Sequence, residues 1–159
     1  MSKNAEAMRE LRKMVLAASP RDLGLTPTQE HPRIWGILME TGFPEGAVTL
    51  VALLDGSASL YFSNGGGIIG AGEHAPVRRA AIKFIGTAEA YVEDFNATTE
   101  YPLPDTGRVK FYLLTYSGIF TGDFDEHLLG EGGHKLSKLF YAGHDVITAI
   151  RKVQERLPP

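Results

Sequence analysis

The sequence predicts an α+β domain in which helices pack on a mostly antiparallel sheet. Three segments carry apolar residues at helical spacing, and the strand-like runs between them are joined by short turns that suit hairpins. The predicted order is helix, three strands, helix, two strands, helix, which gives a five-stranded sheet. We expect one domain over residues 1–159, divided into an N-terminal helix (1–18), a connector (19–33) and a core (34–157).

The first helix is predicted over residues 4–18, where apolar side chains recur three and four positions apart. These side chains are Met8, Leu11, Val15 and Ala18. Residues 20–32 contain three prolines and predict an irregular connector, in which Leu23 and Leu25 hold the chain to the core.

The first two strands are predicted over residues 34–41 and 47–54. The dipeptide Asp55-Gly56 follows the second strand and favours a tight hairpin turn. The third strand, 57–63, alternates between small polar and apolar residues, so we expect it at an edge of the sheet or half-exposed.

The second half of the chain is predicted to continue with a helix, a hairpin and a helix. Pro76 suits the first turn of a helix whose apolar stripe continues to Phe95. Strands over 109–116 and 119–125 pair across a Ser-Gly turn, and the last helix covers 135–156.

The composition restricts the class of protein. The chain has no cysteine, which excludes disulfides and thiolate metal sites and suggests a cytoplasmic location. Its net charge of −3 gives no general attraction for nucleic acid or for an anionic membrane, so we expect neither as a partner. No apolar run is long enough for an export signal or a membrane span.

The central strands are apolar on both faces. Strand one sets Trp35, Ile37 and Met39 opposite Ile34 and Leu38, and the strands over 47–54 and 109–116 are similar. Two helices cover one face, so the other face requires the first helix, the connector or a second protein chain. If a second chain covers it, as in a homodimer, Trp35 and Tyr116 are the expected interface residues. Both residues also suit a simple core.

Glycine-rich segments precede two predicted helices. Residues 65–70 match the glycine spacing of dinucleotide-binding domains, but the neighbouring hairpins and the late helix start do not fit that motif. The segments are therefore either tight turns or cradles for an anion at a helix N-terminus. The candidate ligand-binding residues are Gly66, Gly67, Gly70, Gly72, His74, Arg78, Arg79, Gly132, Gly133 and His134.

Other chemistry has weaker support in the sequence. Asp123, Asp125 and His127 alternate along an extended segment and form the alternative to our expectation of no metal site. The remaining histidines and serines include no Gly-x-Ser-x-Gly elbow, so no catalytic residue is assigned. We expect no cofactor.

The predicted order of elements resembles the roadblock and profilin-like scaffolding domains and the dimeric secretion-chaperone fold. The resemblance concerns topology and implies a non-enzymatic protein that acts through its sheet and helix faces. The first hypothesis is thus a homodimeric interaction or scaffold module with an unidentified protein partner. The alternative is a small-ligand or anion-binding protein, or a hydrolase, built on the glycine-rich segments.

Overall fold

The computed structural model describes residues 3–156. Within that range the chain forms four α-helices and one seven-stranded sheet. The helices are Lys3–Ala17 (α1), Ala75–Ala88 (α2), Glu126–Gly130 (α3) and Ser137–Arg156 (α4). The strands are Ile34–Phe43 (β1), Gly46–Leu53 (β2), Ala58–Phe62 (β3), Gly67–Ile68 (β4), Asn96–Thr98 (β5), Arg108–Thr115 (β6) and Gly118–Asp125 (β7).

The sheet has the strand order β4-β3-β2-β1-β6-β7-β5, and all neighbouring strands are antiparallel. The predicted α+β class and antiparallel sheet are therefore confirmed, whereas the predicted number of five strands is wrong. The two additional strands, β4 and β5, lie at the two edges and are two and three residues long. Strands this short show no apolar periodicity, so the sequence pattern could not reveal them.

The hairpin between β2 and β3 forms at the predicted dipeptide. Gly56 has φ +94°, a conformation that favours glycine, and Asp55 Oδ1 accepts a hydrogen bond of 2.8 Å from the backbone N–H of Ser57. This turn lies at the end of the sheet where β1 begins, because Leu53 pairs with Gly36.

One face of the sheet carries the larger hydrophobic core. α2 and α4 pack on this face and on each other. Its fully buried side chains include Ile37 and Leu50 from the sheet, Phe84 from α2 and Val146 from α4. The helix predicted to continue to Phe95 ends instead at Ala88, and a 3-10 turn over Glu89–Asp94 completes the stripe.

The opposite face carries a second hydrophobic cluster beneath α1 and the connector. Leu38, Val51 and Tyr112 are buried there. The cover comes from α1 and from the connector, whose leucines pack on the cluster as predicted. The cluster includes Met8, Leu11, Val15, Leu16, Leu23 and Leu25. Of the three sources of cover that the sequence allowed, the structure shows the two within the chain, and a homodimer stays a prediction.

Trp35 lies on the α1 side of the sheet with Leu38, and not on the side of Ile37 and Met39 as its spacing indicated. The register between β1 and β6 shifts between Ile34 and Gly36. An extra residue in a strand reverses the alternation of side chains beyond it, which places Trp35 on the other face.

Candidate functional site

The first glycine-rich segment packs tightly against the neighbouring hairpin. A Cβ at Gly72 would lie 2.0 Å from the carbonyl oxygen of Gly56, and one at Gly67 would lie 2.5 Å from that of Leu60. Any side chain at these positions would displace backbone, so the glycines have a steric reason that involves no ligand.

The polar residues around this segment are partly engaged within the chain. Arg78 Nη1 donates a 3.1 Å hydrogen bond to the carbonyl oxygen of Gly72. His74 begins α2 without a side-chain cap, with Nε2 4.0 Å from the carboxylate of Glu73. Arg79 is exposed, and the open positions Gly66 and Gly70 have positive φ. The exposed carboxylate of Glu73 lies in this segment and would repel an anion bound here.

The second glycine-rich segment, which contains Gly132 and Gly133, precedes α4. His134 Nδ1 accepts a 2.9 Å hydrogen bond from the backbone N–H of Leu136, and its ring packs edge-on against Phe124 at 5.5 Å between centroids. The Ser137 hydroxyl accepts from the backbone N–H of His134 at 3.2 Å. These contacts fix the histidine against β7 and the start of α4.

The structure does not bring the two glycine-rich segments together. Gly72 touches the β2–β3 turn, whereas His134 touches Phe124 at the opposite end of the strands, near the end of β1. Strands β3 and β7 are separated by β2, β1 and β6, which corresponds to about 19 Å at about 4.8 Å per strand. One small ligand could not contact both segments.

The acidic residues of β7 are paired with a cation. Arg108 Nε lies 2.8 Å from Asp123 Oδ1, and its Nη1 lies 3.9 Å from Asp125 Oδ2. Asp125 also caps α3 through the backbone N–H of Leu128, while His127 pairs with Glu131 at 2.8 Å. Across residues 3–156, no group of three histidine, cysteine, aspartate or glutamate side chains is placed to hold a metal ion.

The two predicted interface residues lie beneath α1 and the connector. Trp35 is only 3% exposed, and its Nε1 donates a 3.2 Å hydrogen bond to the carbonyl oxygen of Thr115. Tyr116 is half-buried, and burial raises the pKa of its hydroxyl. The structure thus places both side chains in the second hydrophobic cluster or packed against it.

A different site, which the sequence did not predict, lies where α1 crosses the sheet. Glu40 is completely buried on β1, and its carboxylate accepts two hydrogen bonds from the guanidinium of Arg12 on α1. The distances are 2.6 Å from Nε to Oε2 and 2.8 Å from Nη2 to Oε1. The Thr49 hydroxyl donates a further hydrogen bond of 2.5 Å to Oε2.

The guanidinium of Arg12 has further partners besides Glu40. Nη2 also donates to the carbonyl oxygen of Tyr101 at 2.8 Å, and the group lies 5.8 Å from the centroid of the Tyr112 ring. Burial opposes the charged form, but the hydrogen bonds and charge of Glu40 outweigh it, so the pKa of Arg12 is raised. Burial, followed by the charge of Glu40, raises the pKa of Tyr112 to about 12.

A cavity of about 460 Å³ opens beside this ion pair, between α1 and the ends of β2 and β3. Arg12 forms part of its wall together with the exposed cations Arg9 and Lys13. The other wall residues are hydroxyl-bearing or apolar. They are Met8, Thr49, Tyr61, Ser63, Tyr101 and Leu103. Such a volume and mixture of walls are typical of sites for small molecules.

The sequence contains a signal for this site that the helical pattern alone did not expose. Arg12 lies four residues after Met8 and three before Val15, within the apolar stripe of the first helix. Glu40 interrupts an apolar run in a strand that is buried on both faces. A charge at each of these positions requires a buried partner of opposite sign.

Comparison with known proteins does not assign the chain to a class, since it matches no family model, no curated protein and no solved structure. The helices of residues 3–156 include none with the length and apolar character needed to cross a membrane. The geometry of the cavity is therefore the main indication of function.

Proposed function

We propose that this protein binds a small amphipathic anion in the cavity between α1 and the sheet. The observation that carries the proposal is a guanidinium in the cavity wall, Arg12, that is held in place by the buried carboxylate of Glu40. A cation whose position is fixed before binding loses little side-chain entropy when an anion arrives. The apolar walls suit the body of the ligand, and the cations suit its head group.

The lining favours binding over catalysis. Of the residues that the structure describes, those that form the cavity wall include no histidine and no carboxylate, so none of them offers a general base to a serine or tyrosine hydroxyl there. Among residues 3–156 no hydrogen bond joins a histidine ring to a serine hydroxyl. We therefore propose a ligand-binding protein whose site lies at α1 and not at the glycine-rich segments.

Chemical-shift mapping tests the proposal. The amide spectrum of the full chain is recorded during titration with benzoate, phenyl phosphate and phenyl sulfate. We expect saturable shifts for at least one of the three anions, concentrated in residues 8–13, 49, 61–63 and 101–103. Absence of such shifts for all three, or shifts concentrated in residues 66–74 or 132–134, would contradict it.

A matched pair of lysine variants controls for general charge effects. Lys13 and Lys83 are both exposed lysines on helices, but only Lys13 lines the cavity. We expect Lys13→Ala to weaken the binding of the anion and Lys83→Ala to leave it unchanged.

A further inference from the structure

We infer that the ligand of this cavity is a phosphate monoester with a small aromatic or aliphatic body. The inference rests on the proposed binding function and names the head group that the donors of this site prefer. It follows from how the hydrogen-bond donors of Arg12 are used, from the spacing of the cations on α1, and from the hydroxyl groups in the wall.

The guanidinium of Arg12 does not offer a carboxylate ligand the Nε and Nη2 pair of N–H groups. A carboxylate ligand binds arginine best through two parallel N–H bonds from adjacent nitrogens. Glu40 already occupies the edge formed by Nε and Nη2, and the second N–H of Nη2 is directed to the Tyr101 carbonyl oxygen. Nη1 makes none of these three hydrogen bonds, so a ligand that contacts Arg12 would do so through a single nitrogen.

Two further cations, Arg9 and Lys13, line the cavity from the same helix. Arg9 lies three residues before Arg12 and four before Lys13, and all three residues line the cavity. Lys13 Nζ lies 3.6 Å from Glu10, and because both side chains are about two-thirds exposed this pair is weak. A phosphate monoester carries a charge of about −1.5 to −2 near neutral pH, so cations at several positions attract it more strongly than they attract a carboxylate.

The hydroxyl groups add donors at further positions. The Ser63 oxygen accepts a 2.7 Å hydrogen bond from the backbone N–H of Ala47, which leaves its own hydrogen available to donate. Tyr61 also lines the cavity, and its phenol, whose pKa burial raises, is protonated near neutral pH and can donate as well. Single donors that approach from several directions match the three oxygens of a phosphate group.

The body of the ligand meets the apolar part of the same wall. Met8 and Leu103 line the cavity together with the rings of Tyr61 and Tyr101. Inorganic phosphate alone would leave this surface in contact with water, whereas an ester carrying a ring or a short chain would cover it.

Calorimetric titration of the full chain with three compounds tests the inference. The compounds are phenyl phosphate, benzoate and inorganic phosphate. We expect phenyl phosphate to bind at least about tenfold more tightly than either of the others near pH 7.5. We also expect its affinity to fall at about pH 5, where the monoester loses its second charge.

The outcomes separate this inference from the proposed function. Benzoate binding as tightly as phenyl phosphate, with Lys13→Ala weakening it, would overturn the phosphate head group but support the anion site. Equal affinity for inorganic phosphate and phenyl phosphate would overturn the inference that the ligand carries an apolar body. No saturable binding of any of the three would overturn both the inference and the proposed function.

Discussion

Arg12 on α1 and Glu40 on β1 form a two-pronged ion pair, with Nε 2.6 Å from Oε2 and Nη2 2.8 Å from Oε1. β1 is the middle strand of the sheet, and Glu40 is fully buried in it, so the pair fastens the N-terminal helix to the centre of the fold. The same pair fixes the guanidinium that lines the cavity. The stability of the fold and the proposed ligand binding therefore share one contact.

Removing one member of this pair should destabilise the protein strongly. Arg12→Met leaves the Glu40 carboxylate buried without a cation, and we expect the free energy of unfolding to fall by about 3–5 kcal/mol. The double variant Arg12→Met/Glu40→Met removes both charges and should regain much of that loss. Urea unfolding followed by circular dichroism measures the losses in Arg12→Met, Glu40→Met and the double variant. Purely additive losses would show that the two residues are not coupled.

Gly143 on α4 should tolerate a side chain less well than Gly86 on α2 does. A Cβ there would lie 2.6 Å from the sulfur of Met39 and 3.1 Å from the ring of Phe84, so we expect Gly143→Ala to cost about 1–3 kcal/mol. Gly86 on α2 is the control, because its Cβ would have only an ordinary contact at 3.5 Å. Gly86→Ala should be neutral or stabilise by up to about 1 kcal/mol. Equal effects in thermal unfolding would contradict the close packing between α4 and β1.

His144 should make stability depend on pH. Burial lowers its pKa, against a smaller opposing effect of Glu126, and its Nε2 has no hydrogen-bond partner among residues 3–156. The folded state therefore binds a proton at His144 less readily than the unfolded state does. The contribution of the neutral His144 side chain to the free energy of unfolding is complete above about pH 6.5 and declines as the pH falls below that value.

The difference between two histidine variants isolates this effect. We expect His144→Gln to lose less stability than the unchanged protein when the pH is lowered from about 7.5 to about 5.5. His127→Gln removes an exposed histidine and should retain the full decline. Identical slopes for His144→Gln and His127→Gln in urea unfolding would be inconsistent with a buried neutral imidazole.

α1 should be required to cover the second hydrophobic cluster. Leu16 is buried against that cluster, whereas Met14 is 66% exposed on the same helix. We expect Leu16→Asp to loosen α1, which shifts the emission of Trp35, the only tryptophan, to longer wavelength and promotes self-association. Met14→Asp should leave both emission and light scattering unchanged. The same light-scattering series on the unchanged chain tests the predicted homodimer.

Most of the fold could be predicted because its main elements have strong local patterns. Apolar residues on both sides of β2 predicted a buried strand, and the Asp55-Gly56 dipeptide predicted a hairpin that the structure confirms. The short edge strands and the displaced Trp35 could not be predicted in this way. They depend on pairing with a neighbouring strand and on a register shift, and neither leaves a periodic pattern in the sequence.

The candidate site was harder to predict than the fold. Arg12 and Glu40 are 28 residues apart, so only the packing of α1 on the sheet brings them together. Helical spacing placed the first helix correctly but gave no information on which strand it crosses. The composition of the glycine-rich segments suggested a ligand site. The contacts of Gly67 and Gly72 with neighbouring backbone nevertheless explain those two glycines without a ligand.

A crystal structure of the full chain with bound phenyl phosphate tests most directly whether Arg12 is the anion-binding group. We expect a phosphate oxygen at about 2.7–2.9 Å from Arg12 Nη1, the ion pair with Glu40 intact, and the phenyl ring between α1 and the ends of β2 and β3. A phosphate bound at residues 66–74 or 132–134, with the α1 cavity holding only solvent, would contradict the account.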